Sequence, residues 1–204
     1  MEKATIVREF REDGSVKREV RMLNGKKYGT EYCWNADGEL QEVKTWMENK
    51  LHGVQCCYFM YQQMEEIMWE KGDRHGLTRL WTNGKLDQET PFVRGKRHGQ
   101  QRFWYLNGEV KSLVMWAHGK IVGKASWFKD GMLRDMATFV DGELHGVERV
   151  WYENGKPHFE TTFAHGKRHG QQREWSEDGK LVHVNKWIHG RCCAPSSTVR
   201  HCDC

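Results

Sequence analysis

The sequence predicts an all-β chain, an elongated antiparallel β-meander of about eight tandem β-hairpin repeats. Three observations predict it. Glycine recurs on a fixed ruler, the large aromatic residues recur on the same ruler, and the intervals between glycines are strand-length with only 3 prolines in the chain.

On that ruler each unit carries a glycine that often follows histidine: Gly29, Gly53, Gly76, Gly99, Gly123, Gly146 and Gly170, with Ala194 at the eighth place. The steps are 23 or 24 residues, as from Gly76 to Gly99 and from Gly99 to Gly123. A second series marks one turn, at Gly14, Gly38, Gly84, Gly108, Gly131, Gly155 and Gly179, and the third unit lacks it around Tyr61 and Gln62. A third series marks the other turn, at Gly25, Gly72, Gly95, Gly119, Gly142, Gly166 and Gly190, with Asn49 in its gap. Together the series hold all 21 glycines. Such a period is the signature of a repeat architecture, in which each unit contacts mainly its neighbours.

The aromatics form two columns. The first runs Phe10, Trp34, Tyr58, Trp81, Trp104, Trp127, Trp151, Trp175; the second runs Met22, Trp46, Trp69, Phe92, Trp116, Phe139, Phe163, Trp187. All 10 tryptophans fall in one or the other.

Within a unit, the Asn-Gly or Asp-Gly pairs ending at Gly14, Gly38, Gly84, Gly108, Gly131, Gly155 and Gly179 are hairpin-turn signals. Helix is a poor alternative, because each interior glycine would cost it roughly 1 kcal/mol. Loop length then decides which residues share a face. A two-residue loop at Asn107-Gly108 sets Trp104 opposite Lys111. A three-residue loop with Gly108 in a bulge sets Trp104 opposite Val110 and on the face of Trp116, gathering both columns on one side. The second choice is the expectation.

The recurring Gly-Lys-x-His-Gly (Gly95 to Gly99, Gly166 to Gly170) and Trp-Tyr-x-Asn-Gly (Trp104 to Gly108, Trp151 to Gly155) resemble MORN repeats. The likeness is closest to the variant MORN repeats found in bacterial antitoxin-like proteins and in marseillevirus-type large DNA viruses. It covers roughly residues 5 to 194, so 1–194 reads as the repeat array and 195–204 as a flexible Cys-rich tail. The third unit, with Tyr58-Phe-Met-Tyr-Gln-Gln at its turn, departs from the pattern. The resemblance implies scaffolds and attachment surfaces and carries no catalytic residues. The viral likeness also implies a virion or infected-cell component.

Composition narrows the classes further. The hydrophobic share is 38% and the aromatic share 12%, which suits a thin sheet better than a thick core. No apolar run approaches the ~20 residues of a spanning helix, and no signal peptide is visible, so a cytoplasmic protein (host cytoplasm or virion if viral) with reduced thiols is expected. The 32 basic residues alternate with 28 acidic ones, giving +4, which is not the density of a nucleic-acid binder. There is no Gly-x-Ser-x-Gly, His-Glu-x-x-His or Gly-x-Gly-x-x-Gly, and tandem units spread residues along a line, whereas catalysis needs them to converge. A non-enzyme without cofactors is expected.

Four features remain as candidate sites. His52, His75, His98, His145 and His169 share one repeat position, but Tyr28, Val122 and Cys193 fill it elsewhere, which fits a side chain packed beside a turn. Basic residues, Lys26, Lys27, Lys96, Arg97, Lys167 and Arg168 among them, collect at the third-series turns. Glu12, Asp13, Asp37, Glu39, Asp130, Glu153, Glu177 and Asp178 collect at the other edge. The basic edge is either ordinary solubilising turn chemistry or a dock for an acidic partner or anionic lipid, where each cation near a membrane is worth about 1 kcal/mol. The aromatic face (Trp34, Trp46, Trp69, Trp81, Trp104, Trp116, Trp127, Trp151, Trp175 and Trp187) either packs on itself under Lys and Arg stems or is in part an interface. The tail offers Cys192, Cys193, Cys202 and Cys204 as weak metal candidates, without the paired Cys-x-x-Cys spacing of a zinc site.

These features favour a non-enzymatic repeat scaffold for protein–protein interaction or self-association through an extended aromatic-lined sheet. The alternatives are peripheral membrane attachment through the basic turn edge and an antitoxin-like inhibitor of a partner protein.

Overall fold

The computed structural model describes residues 3–128 and 130–193, all strand or turn. They form two compact units that meet between His98 and Gly99 in sequence. The first unit runs β1 (Ala4–Phe10), β2 (Val16–Leu23), β3 (Lys26–Trp34), β4 (Leu40–Met47), β5 (Lys50–Leu51), β6 (Gly53–Phe59), β7 (Gln63–Glu70), β8 (Asp73–Thr82), β9 (Lys85–Val93) and β10 (Lys96–Arg97). The second runs β11 (Gly99–Trp104), β12 (Val110–Ala117), β13 (Lys120–Trp127), β14 (Leu133–Val140), β15 (Glu143–Leu144), β16 (Gly146–Trp151), β17 (Pro157–Ala164), β18 (Lys167–Trp175), β19 (Leu181–Ile188) and β20 (Arg191–Cys193). Within each unit successive strands pair antiparallel, so each is an uncrossed meander. Both β5 and β6 pair with β4, and both β15 and β16 with β14, so these short pieces are single strands interrupted at His52 and His145.

The two edges of the meander use different turns. At the Asn/Asp-Gly edge, Trp104 pairs with Val110, the Gly108 N–H donates to the Tyr105 carbonyl at 2.9 Å and the Tyr105 N–H to the Glu109 carbonyl at 2.8 Å. Gly108 sits at φ 90°, which a residue with a Cβ rarely adopts. The Asn107 side chain accepts the Glu109 N–H at 3.0 Å, and Asp13 and Asn154 do the same for Ser15 and Lys156, which is why Asn and Asp precede these glycines. This is the expected three-residue loop. At the other edge both loop residues are left-handed, as in Asn24-Gly25 (φ 51° and 77°), the two-residue turn whose twist matches the strands.

Two hairpins depart from the rule. Asn83-Gly84 is itself a two-residue loop, with Thr82 opposite Lys85, because Trp81 stands three residues before its glycine where Trp104 stands four. In the third unit Tyr61 and Gln62 take φ 62° and 57° without glycine, and Met60 and Tyr61 are 80% and 86% exposed.

The faces correct one expectation. Lys111 is skipped in the pairing, so Trp104 faces Val110 while Phe103 faces Ser112. Along β11 side chains alternate, so Gly99, Gln101 and Phe103 point one way and Arg102 and Trp104 the other. Trp116 is paired with Gly99 and therefore lies on the face opposite Trp104. The loop is as expected, but this second irregularity separates the two aromatic columns. The same alternation holds in the first unit, where Trp34 stacks on Tyr32 (centroids 5.9 Å apart) while Glu31 and Cys33 point to the other side.

The face carrying the second column is the better buried. Its centre is Val20, Glu31, Gln55, Ile67, Thr78 and Thr90 in the first unit, and Gln101, Val114, Ser126, Ala137 and Thr161 in the second. More than half of this row is polar, and its glutamines tie it to the tryptophans.

Candidate functional site

The second-column indoles are used internally. The Nε1–H groups of Trp69, Trp116 and Trp187 each donate at 2.8 Å to a glutamine oxygen, on Gln55, Gln101 and Gln172 respectively, each two residues beyond a His-Gly glycine. Those glycines, Gly53, Gly99 and Gly170, lie directly opposite the same rings, and a glycine leaves room for an aromatic to cover its strand. Cations cover the rings: Lys27 lies 4.3 Å from the centroid of Trp46, Arg74 lies 5.8 Å from Trp69 and 5.5 Å from Phe92, and Arg168 lies 4.8 Å from Trp187. Trp46 differs from the others, since its buried Nε1 has no partner and Glu31 stands where a glutamine would. The Glu31 carboxylate is engaged instead by Lys27 at 2.8 Å and Arg18 at 3.6 Å.

The first-column indoles are not used in this way. Among the described residues no hydrogen bond is made by Nε1 of Trp34, Trp81, Trp104, Trp127, Trp151 or Trp175, and none of these nitrogens is buried. Between successive rings of this column open clefts recur. One, of about 520 Å³, is lined by Arg8, Phe10, Val16, Glu19 and Trp34 in the first unit. Another, of about 380 Å³, is lined by Arg149, Trp151, Pro157, Glu160 and Trp175 in the second. These are the same positions of the repeat. In each cleft an arginine two residues before the aromatic pairs with a carboxylate on the next strand, Arg8 with Glu19 at 2.7 Å and Arg149 with Glu160 at 2.9 Å. Arg79, Arg102 and Arg173 hold the same place before Trp81, Trp104 and Trp175. The signal is present in the sequence as a recurring Arg-x-aromatic triplet, which the glycine and aromatic columns alone do not reveal.

The residue after the aromatic fixes the spacing of the column. The Tyr105 hydroxyl donates to the Trp127 carbonyl at 2.8 Å, and the Tyr152 hydroxyl to the Trp175 carbonyl at 2.8 Å. Arg11 does the same for the Trp34 carbonyl. Each bond spans one repeat and ties one ring-bearing strand to the next.

Of the other candidates, the basic turns are mixed in charge. Lys26 lies 4.0 Å from Glu48 and Lys120 lies 3.0 Å from Asp141, while Lys27 and Arg168 lie over rings; Lys96, Arg97 and Lys167 are exposed. The histidines lie beside turns. His52 Nδ1 accepts the Lys71 N–H at 3.4 Å and His169 Nδ1 the His189 N–H at 3.5 Å, each from a left-handed turn residue of the following hairpin.

Burial pushes up the thiols of Cys33, Cys56 and Cys57, with Glu42 adding to the effect at Cys57, which reaches about 11. Cys192 and Cys193 lie on β20; Cys202, Cys204 and the tail 195–204 fall outside the described residues. Among the described residues no group of three or more His, Cys, Asp or Glu side chains is placed to hold a metal ion, and no helix is long and apolar enough to cross a membrane.

Two stretches, 97–118 and 144–165, match the family model described as MORN repeat variant. Each begins beside a His-Gly pair and ends at the left-handed histidine of the next two-residue turn, so the family unit is one hairpin of the meander. No curated protein matches the chain.

Proposed function

The chain is a MORN-repeat protein, and from that premise we propose that it is a non-enzymatic scaffold whose first-column face binds a protein partner. One observation carries the reading: the cleft between successive first-column rings recurs in both units beside indoles that make no hydrogen bond, whereas the second-column indoles of Trp69, Trp116 and Trp187 are hydrogen-bonded and cations lie over Trp46, Trp69 and Trp187. Aromatic rings with unspent polar tips are the residue type that dominates protein interfaces. Membrane attachment through the turns has weaker support, because Lys26 and Lys120 are paired with Glu48 and Asp141 of the neighbouring turns.

The test uses three full-length baits: the native chain, one with Trp34, Trp151 and Trp175 changed to Ala, and one with Lys26, Lys96 and Lys167 changed to Glu. Capture is followed by identification of retained proteins and by flotation with anionic vesicles. A partner held by the native and edge-changed chains but lost from the cleft-changed chain supports the proposal. Vesicle binding that is lost only in the edge-changed chain, with no cleft-dependent partner, overturns it in favour of membrane attachment.

A further inference from the structure

We infer that the open edge strand β1 is an interface with a second copy of this chain. Two β1 strands pair antiparallel about Val7, and Phe10 of each copy enters an apolar cleft of the other. The pairing goes beyond the protein-binding role proposed above and does not require it.

Among the described residues β1 pairs with β2 alone, and its other side is open. Native edge strands are blunted by proline, by bulges or by shortness, because an open strand recruits another. None of these protects β1. Its 7 residues include no proline, and the residue skipped at its one irregularity, Lys17, belongs to β2. The last strand of the second unit is the contrast. β20 has 3 residues, it covers β19 at Lys186, Trp187 and Ile188, and Pro195 follows soon after it in the sequence. Burial marks the open edge as well. Val7 pairs with Val20 and Val20 with Glu31, and the same row continues through Gln55, Ile67, Thr78 and Thr90. All of these are buried except Val7, which is 45% exposed. An apolar residue at the head of that row suits a strand that is covered.

The backbone selects the register. The Asn24 N–H donates to the Lys3 carbonyl at 3.2 Å and the Arg11 N–H to the Ser15 carbonyl at 2.9 Å, so Lys3 and Arg11, at the two ends of β1, both turn backbone groups toward β2. Alternate residues of an antiparallel strand direct these groups to opposite sides. Ala4, Ile6, Arg8 and Phe10 therefore present theirs outward, and these four positions are symmetric about Val7. A second β1 related by a two-fold axis at Val7 sets Ala4 against Phe10 and Ile6 against Arg8, so the whole strand pairs; a shifted register leaves part of it unpaired. Val7 meets its own counterpart, which carries the buried row across the axis, and Thr5 meets Glu9, so no like charges stand directly opposite. Arg8 meets its counterpart only on the diagonal, and each keeps its Glu19 at 2.7 Å.

The side chains identify the occupant. Phe10 shares a face with Ala4 and Ile6 by strand alternation, and its ring is exposed. In this register that ring comes against Ala4 of the other copy. There an open cleft of about 690 Å³ is lined chiefly by Ala4, Ile6, Met22, Leu23 and Tyr28. The exposed ring and the apolar cleft are complementary, they lie at opposite ends of one strand, and the two-fold axis joins them twice. The pairing uses up both open edges, so it closes as a dimer.

The test is sedimentation equilibrium of the full chain, with amide hydrogen exchange followed by NMR. One strand pair and two rings make a small interface, so the dimer should dissociate at about micromolar concentrations or above. On concentration, monomer should give way to dimer and to nothing larger. The amides of Ile6 and Arg8 should then slow, while those of Thr5 and Val7, which face β2, stay as they were. Ile6→Pro removes an N–H that β2 does not use, and Phe10→Ala removes the ring; each should weaken the dimer at least about tenfold. Val7→Lys and Val7→Glu should each give a monomer, because like charges then meet at the axis. Mixed in equal amounts, these two variants should pair with one another.

A monomer at every concentration up to about 1 mM overturns the inference; slow exchange of Ile6 and Arg8 in that monomer would mean that another part of the same chain covers the edge. A dimer that survives both Ile6→Pro and Val7→Lys is held elsewhere and overturns it too, as does a series of larger species, the mark of an open head-to-tail contact. Failure of the mixed Val7 variants to pair rejects the axis at Val7, and the inference with it.

Discussion

Trp187 and Trp175 belong to one hairpin, β18–β19, and share nothing but their residue type. The Trp187 indole donates to Gln172, lies under the Arg168 guanidinium and faces Gly170 across the strand pair. Trp175 sits at the other end of β18, makes no hydrogen bond through its ring nitrogen, and closes a cleft with Trp151. The difference comes from the turn each one adjoins. Near the two-residue turn the strand carries a left-handed glycine, which makes room for a ring and brings the basic turn residue over it. Near the three-residue turn the pairing skips a residue, here Val182 opposite the step from Glu174 to Trp175, and the ring emerges on the opposite face. One column holds the repeat together and the other is left for something else.

The sharpest way to break the second column of that comparison is to fill the glycine that faces a ring. Gly146 lies opposite Phe163 at φ 91°, and a Cβ there would come within 2.7 Å of Thr138 Oγ1. Gly146→Val adds unfavourable φ, roughly 1–3 kcal/mol, to crowding of roughly 1–3 kcal/mol, so thermal melting should fall by well over ~5 °C. Gly123 is the control. The stretch from it to Trp127 is one residue shorter than that from Gly146 to Trp151, it faces Thr138 rather than a ring, and it alone among the glycines has no positive φ. A Cβ on it meets nothing closer than 3.8 Å, so Gly123→Ala should melt at or slightly above the native temperature. Equal loss in both would mean that the ring-facing glycines are not special.

Breaking the hydrogen bond should cost less. Gln172→Leu keeps much of the side-chain volume but leaves the Trp187 Nε1–H without its acceptor, a loss of about 1–3 kcal/mol for a part-buried donor. Trp175→Phe removes an indole N–H that has no partner and should change urea-monitored stability by less than ~0.5 kcal/mol. If the two variants lose the same stability, the columns are not functionally distinct.

Much of this is legible in the order of residues alone. The ruler of glycines marks the hairpins, their order and the three-residue loop at Asn107-Gly108, because turn chemistry is local and glycine at positive φ is its strongest mark. The faces are not legible. They depend on which residue the pairing skips, Lys111 in one hairpin and Arg134 in another, and both are ordinary lysine or arginine positions in the sequence. The glutamine row is hidden for a different reason. Gln55, Gln101 and Gln172 have the composition of surface residues, and only the register brings each under a tryptophan two strand positions away. The mixed charge of the basic edge comes from residues such as Glu48 and Asp141, which sit in the turns next to those of Lys26 and Lys120 and which a tally of cations alone leaves out.

A smaller effect tests the cations that cover the second column. Arg168 is exposed and lies 4.8 Å from the Trp187 centroid, a geometry worth about 0.5–1 kcal/mol. Arg168→Gln should lower stability by that amount and quench or shift Trp187 emission, whereas Lys167→Gln, one residue earlier and also exposed, should do neither. An equal response from Lys167 would reduce the contribution to general turn charge.

The smallest effect concerns the histidines, which lie beside the second column without belonging to it. His52 accepts the Lys71 N–H at 3.4 Å, a long bond to a donor on an exposed turn where water competes. Tyr28 and Val122 fill the same repeat position, so the fold does not require an imidazole there. His52→Tyr should therefore leave the chain within ~0.5 kcal/mol of native stability. A loss above ~1.5 kcal/mol would show that the imidazole holds the left-handed Lys71 in place, and the row of histidines would then have to be counted with the glutamines as part of what binds one hairpin to the next.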